Sequence, residues 1–462
     1  MVALTAVLVT VSLASPASAA PVDPDVGPPG TSLIHGDLAS TDSTPHPGPG
    51  AGGKLTASSL PGGACAATFI GSDSLPVALC TGYVGADPLN VAVPTVQLFD
   101  PATAQPIASL QLTKGGLLGG VYGYLDNRDR VVVADGSGAI LKVAHRTNPD
   151  GRRQLFVDQR IDVRDHIPAG DAITGLAPDH QGRIWFATTN GVIGTVDSGG
   201  HIGATRLPIG EKLTNGLSMR PGGASILTSR ALYEMQADDS GTPTTVWRAA
   251  YDAGDARRPG QLAPGSGTTP TYFGPHGDDW VAIVDNADRP NLIVYRSDDG
   301  STVCSTPAFE TSGQGTENSP MAWGNSIVIP STYGFGYPPF ATSGPSDPPA
   351  AAFTGGMTRI DVSETGCKRV WESADRVATL PKLSRADGLI YALAYGPLPP
   401  GGGIQQLGPV YFTAIDFETG ERKAFHQVGN APLDEPLQLT GTIGPGGALW
   451  QATVGRMLKI SP

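Results

Sequence analysis

The stretch from Gly175 to Asp197 constrains the fold of this chain more than any other. It reads as three short strands separated by two turns. An apolar run ends at Ala177, and Pro178-Asp179-His180-Gln181-Gly182 follows with turn chemistry, Pro presetting φ and Gly allowing φ above zero. Arg183 to Thr188 is rich in aromatic and branched residues and suits a strand. Asn190-Gly191 then marks a tight hairpin into a third strand, Val192 to Asp197.

Most of the chain can be laid out as variations on this unit. The 462 residues include 62 Gly and 42 Pro, and only 16% are charged, which favours many turns and few helices. No long window carries apolar residues at i, i+3, i+4 and i+7. Eight units follow one another over residues 64–112, 121–158, 175–209, 216–249, 269–306, 320–372, 382–428 and 437–460, four strands to a unit except in the last. Spacings of this size fit the blades of a β-propeller, an all-β ring. Eight blades are expected, with seven as the alternative count. The last unit has three strands, and a ring left open would expose a strand edge. An N-terminal strand is therefore expected to close it.

Three segments are expected: a signal peptide over 1–19, a Pro/Gly-rich leader over 20–60, and the propeller over 61–462. Val2 to Leu13 is apolar and runs into Ala17-Ser18-Ala19, the pattern of a secretory signal, although no Lys or Arg precedes it. The leader composition predicts a flexible segment that buries no core, apart from a strand around Lys54–Leu60 or Ser32–Leu38. Export favours disulfides, and Cys65 with Cys80, then Cys304 with Cys367, are the expected pairs. A net charge of −12 and the lack of a Lys/Arg cluster disfavour nucleic acid. No run is long and apolar enough to span a bilayer, so a secreted monomer without a membrane span is expected.

Two family resemblances follow from short motifs. Ala414-Ile415-Asp416-Phe417-Glu418-Thr419-Gly420 resembles the PQQ-like quinoprotein repeat, and looser copies occur at Arg359–Gly366, reaching Trp371, and at Leu98–Ala104. The resemblance implies that Asp and Thr cap a turn and that a Trp docks on the neighbouring blade. PQQ itself is not expected, because that family places an adjacent Cys pair over the quinone and no two cysteines here adjoin. Thr214-Asn215-Gly216-Leu217 with Pro221-Gly222-Gly223 resembles a segment of gluconolactonase-like propellers, and Gly182–Thr188 resembles the streptogramin-lyase-like repeat. The first implies a metal-ligand role for Asn215.

In a propeller, the loops entering each blade and the loops from second to third strand open on one face. That face collects Asn215, Asp285, Glu317, Asn318 and Lys382, with two long insertions, Tyr333–Thr354 and Pro397–Pro409. A carboxylate among amide oxygens suits Ca²⁺, a hard ion that takes oxygen ligands. Asn215, Asp285, Glu317 and Asn318 are therefore the candidate metal ligands. Glu317 and Lys382 are the candidate catalytic residues, Lys382 orienting an anionic substrate. The alternative is that Glu317 pairs with Lys382 and that the two Asn serve as turn residues. No G-x-S-x-G elbow or H-E-x-x-H spacing occurs, and Asp197-Ser198-Gly199-Gly200 reads as a turn. The expected function is a metal-assisted hydrolase or lyase acting on a small molecule at the mouth. The alternatives are an envelope propeller that binds a ligand or protein without catalysis, and a PQQ-type dehydrogenase.

Overall fold

The protein is an eight-bladed β-propeller. The computed structural model describes residues 25–59, 64–83, 91–114, 122–310, 315–397 and 407–462. The expected signal peptide and most of the insertion Pro397–Pro409 lie outside these residues. In blades one to six the sheet is antiparallel and its four strands follow one another from the central channel outward, as in Ile173–Pro178, Ile184–Thr188, Val192–Val196 and Ile202–Arg206 of blade three. The inner strands of neighbouring blades pack side by side around the channel, blade eight closing onto blade one. Blade three differs from expectation at its rim, where the outer strand starts at Ile202 rather than Thr205. The Asp197 carboxylate accepts the backbone N–H of Gly199 at 2.8 Å and of His201 at 2.9 Å, so the turn is complete by His201.

Apolar residues fill the space between blades. Trp185, Trp280, Phe69, Phe186 and Phe412 are fully buried. Two tryptophans on outer strands clasp the next blade. Trp371 of blade six donates Nε1–H to the Phe417 carbonyl of blade seven at 2.9 Å, and Trp247 of blade four donates to the Ser297 carbonyl of blade five at 2.8 Å. Each indole lies against a turn glycine with positive φ, Gly420 or Gly300, where an added Cβ would come within 2.7 Å of the ring. The turn carrying Gly420 is held by Asp416, which accepts the Thr419 N–H at 2.9 Å and hydroxyl at 3.0 Å. Both expected disulfides form: Cys65–Cys80 within blade one, and Cys304–Cys367 between the outer strands of blades five and six.

Lys54–Ala57 pairs antiparallel with Met457–Ser461 and completes blade eight. The rest of the leader departs from the flexible segment its composition predicts. Residues 31–44 run along the inner strands at the channel, where leader carbonyls accept backbone N–H groups of those strands in turn. Thr31 accepts Ile70 of blade one, Ser32 accepts Leu125 of blade two, and Leu38 accepts Met219 of blade four. Ala39 accepts Tyr272, Thr41 accepts Ala322, and Asp42 accepts Leu383 in blades five, six and seven. Ser43–Thr44 forms a parallel pair with Leu383–Ser384. Inner strands have an unpaired edge facing the channel, and buried backbone groups need partners. The leader meets that need with hydrogen bonds more than with apolar bulk, and composition does not register this. Thr31, Ser32, Asp42, Ser43 and Thr44 are accordingly buried.

Candidate functional site

The entering loops and the second-to-third-strand loops do share one face. Gly136 bonds back to Thr113, Thr189 to Ala172, Leu207 to Gly191, and Asn286 to Asp252. The insertion over 331–356 leans across the mouth toward the loop entering blade five. Gly334 N–H donates to Pro259, Ser343 N–H to Leu262, and Asp347 N–H to Arg257. Beneath it lies a cavity of about 250 Å³. Its roof includes Tyr337, Pro338 and Phe340 from the insertion, and its floor is Ile34 and His35 from the leader. Asn215, Glu317 and Asn318 line the walls with Tyr122, Leu437 and Gln438. Among the described residues the lining contains no Lys or Arg.

Glu317 is held on both sides. Its Oε2 accepts the Leu262 N–H at 3.0 Å, and its own N–H donates to Thr332 Oγ1 at 2.8 Å. Gly267 packs so closely that an added Cβ would reach Glu317 Oε2 at 2.5 Å. Burial drives the Glu317 carboxyl up to about 8, against smaller opposing effects of the Leu262 N–H and the Arg257 charge. It therefore enters neutral solution mostly protonated, as a proton donor. Burial also pushes the Tyr122 hydroxyl up to about 12 and the Tyr337 hydroxyl well upward, so both stay neutral.

The amides are positioned by backbone. Asn215 Nδ2 donates to the Ser266 carbonyl at 3.0 Å and to the Thr268 carbonyl at 3.2 Å. Asn318 Nδ2 donates to Gln438 Oε1 at 2.8 Å, and Gln438 Nε2 donates to the Val377 carbonyl at 3.2 Å. Leu437 and Gln438 both adopt left-handed backbone, φ 50° and 57°. Neither is glycine, and such strain persists where surrounding structure imposes it, commonly at ligand sites.

Two of the residues expected here do other work. Asp285 does not line the cavity. Its carboxylate accepts the Asn291 N–H at 2.6 Å and the Asn291 amide at 3.0 Å, so its oxygens are spent within its own loop. Lys382 lies under the floor rather than in the cavity, and it pairs with Asp42 instead of Glu317. It cannot orient an anionic substrate. Of the four expected metal ligands, three remain together, with a single carboxylate among them. A Ca²⁺ ion takes about six to eight oxygens, several of them carboxylate. Among the described residues no group of three His, Cys, Asp or Glu side chains could hold a metal. The residues do not fit a calcium cage.

Sequence reasoning missed His35, which lies in the leader. His35 Nδ1 lies 2.9 Å from Asp42 Oδ2, and Asp42 Oδ1 receives the Lys382 ammonium at 2.5 Å. His35 Nε2 is buried with no hydrogen-bond partner among the described residues. It also missed Tyr122 and Gln438, whose place at the cavity depends on contacts distant in sequence.

No protein-family model matches the chain, and no curated protein matches it either. Solved structures do resemble it. A quinohemoprotein alcohol dehydrogenase from Comamonas testosteroni superimposes with a TM-score of 0.59 at 10% identity, over 95% of this chain and 80% of that one. The computationally designed Ika8 protein does so with a TM-score of 0.51 at 13% identity, over 88% of this chain and 99% of that one. BamB from Moraxella catarrhalis reaches 0.42 at 13% identity, over 72% and 94% of the two chains. At these identities the first two likenesses, both with a TM-score above 0.5, bear on the fold alone.

Proposed function

We propose that the mouth cavity binds a small uncharged molecule and that the protein is a hydrolase or lyase in which Glu317 donates the proton. The observation that carries this reading is the convergence of Asn215, Glu317 and Asn318 on one floored and roofed cavity. A carboxyl group kept neutral by burial can protonate a leaving group or hydrogen-bond a developing oxyanion. Among the described lining residues there is no Lys or Arg, which favours an uncharged substrate over an anionic one. Left-handed backbone at Leu437 and Gln438 supports a built site rather than a packing defect. Two disulfides support the reading of an exported protein.

The test is turnover of a panel of small neutral esters, amides and β-substituted carbonyl compounds by the wild-type protein and by Glu317→Gln. Turnover that falls on the order of 10²-fold or more in a folded Glu317→Gln variant supports the reading. A second reading, ligand binding without catalysis, is favoured by the internal pairing of both Asn amides. It predicts compounds that raise the melting temperature of both proteins alike and are never consumed. The PQQ reading predicts dye-linked alcohol oxidation on adding the quinone.

A further inference from the structure

We propose that the mouth is a two-chamber site whose ligand is a carboxylic acid with an uncharged carbonyl group at its other end, the carbonyl seated beside Glu317 and the carboxylate held by Lys212 and Arg230. The inference rests on the reading of the mouth as the functional site, and it extends the ligand beyond the uncharged part that the inner cavity holds.

A second cavity, of about 610 Å³, lies at the same face. It adjoins the cavity at Glu317, because Thr214, Phe340 and Ala341 line both. Phe340 and Ala341 belong to the single turn Pro339–Ala341 of the insertion, which the Ala341 N–H closes by donating to the Pro338 carbonyl at 2.9 Å. That turn therefore divides one mouth into an inner and an outer chamber. The two chambers differ in charge. Among the described residues the inner one carries no Lys or Arg, and the titratable lining of the outer one is Lys212, Arg230 and Asp255. Two cations less one carboxylate leave one positive charge, in a chain whose net charge is −12.

Backbone sets the two cations beside one another. The Ser229 N–H donates to the Lys212 carbonyl at 2.8 Å, and the Lys212 N–H donates to Ser229 Oγ at 3.2 Å. These bonds join the loop entering blade four to the loop between its second and third strands, where the Arg230 N–H donates to Thr228 Oγ1 at 3.1 Å. Among the described residues neither cation has an ion pair, and Lys212 Nζ donates to the uncharged amide oxygen of Asn190. An ammonium and a guanidinium, with the Ser229 and Ser343 hydroxyls lining the same chamber, match a carboxylate. A phosphate would bring nearly two charges against one. In the inner chamber a carboxyl that burial keeps neutral suits a carbonyl oxygen as its acceptor. One molecule that carries both groups can occupy both chambers.

Isothermal titration calorimetry tests this with straight-chain methyl keto acids, levulinate the shortest, and with their primary amides, which keep the shape and lose the charge. Ketones are not hydrolysed, so the readout needs no turnover. The wild type should bind the acid about 10-fold more tightly than the amide at the best chain length. That preference should grow as methylenes are added to levulinate, because only a long enough chain seats both ends. It should narrow between about 0.01 M and about 1 M salt. The double variant Lys212→Gln/Arg230→Gln changes two exposed residues, and it should keep the wild-type circular dichroism and bind acid and amide alike. Equal affinities in the wild type, a preference that survives in the double variant, a preference independent of chain length, or no binding of any probe each overturns the inference. Glu317→Gln separates this outcome from the reading beneath it. If that variant loses turnover of neutral substrates while the wild type binds acid and amide alike, the outer chamber alone is wrong. If the acid preference holds while turnover is indifferent to Glu317, the catalytic reading fails and the mouth stands as a carboxylate-binding site.

Discussion

Lys382 Nζ lies 2.5 Å from Asp42 Oδ1, joining the innermost strand of blade seven to a leader residue 340 positions earlier in the chain. Both side chains are almost wholly excluded from solvent, and Nζ also donates to the Ile34 carbonyl at 2.7 Å. A buried ion pair gains little over an apolar pair, but losing one partner leaves an uncompensated charge. Lys382→Met is therefore expected to destabilise the protein by about 3–5 kcal/mol. Combining it with Asp42→Asn should cost much less than the sum of the single changes, because they share one interaction. Urea unfolding of the four proteins checks this, and simple additivity would contradict the pairing.

Glu317 gives the protein a distinctive pH response. Its carboxyl is raised by burial from the ordinary 4.5 to about 8 in the folded state. Between those values the folded state holds a proton that the unfolded chain has released. Stability from this group is thus fully present at acid pH and falls as pH rises from about 4.5 through about 8, by up to about 1.4 kcal/mol for each unit of the interval. Glu317→Gln should lose that dependence and become the more stable protein at pH 9. Melting temperatures of both proteins from pH 5 to pH 9 measure the difference, and parallel curves would count against a raised carboxyl.

Gly267 sets the position of Glu317. A Cβ there would lie 2.5 Å from Glu317 Oε2, 2.6 Å from the Thr316 carbonyl oxygen and 2.7 Å from Glu317 Cα. Two of those atoms are backbone and cannot swing aside. Gly267→Ala is expected to cost about 1–3 kcal/mol by overpacking, and to lower turnover by moving the carboxyl off the cavity wall. Gly222→Ala tests a different burden, since its Cβ meets open space and only its positive φ opposes the change. Turnover should survive Gly222→Ala. Equal loss of activity in the two variants would contradict a specific role for Gly267.

The blades were legible because each is a local object. Turn residues such as Pro178 to Gly182 and Asn190-Gly191 mark hairpins between near neighbours, and the strands fall close to where they imply. The clustering of Asn215, Glu317 and Asn318 was legible for the same reason, since strand order decides which face a loop joins. What escaped was decided at long range. Asp285 sits on the expected face, but its carboxylate turns inward to Asn291, a choice made by side-chain geometry. His35 and Asp42 acquire their places because inner-strand N–H groups from blades distant in sequence need acceptors. Composition alone gives a Pro-rich, Gly-rich segment no reason to be buried, and its hydrogen-bonding carbonyls are common to every residue.

The disulfide between Cys304 and Cys367 ties two blades, whereas Cys65–Cys80 joins adjacent strands of one blade. The first closes a loop with a sequence separation of 63, the second one of 15. If a cross-link acts mainly by restricting the unfolded chain, the longer loop contributes more, about 4 kcal/mol against about 3 kcal/mol. The double variants Cys304→Ala/Cys367→Ala and Cys65→Ala/Cys80→Ala should therefore both unfold at lower urea, the first at the lower midpoint. The inter-blade bond adds a reason in the folded state, because it sits on the outer strands, where Trp247 and Trp371 also clasp neighbouring blades. Equilibrium unfolding under non-reducing conditions gives the two midpoints, and a lower midpoint for the blade-one variant would reverse the assignment of the ring's main covalent support.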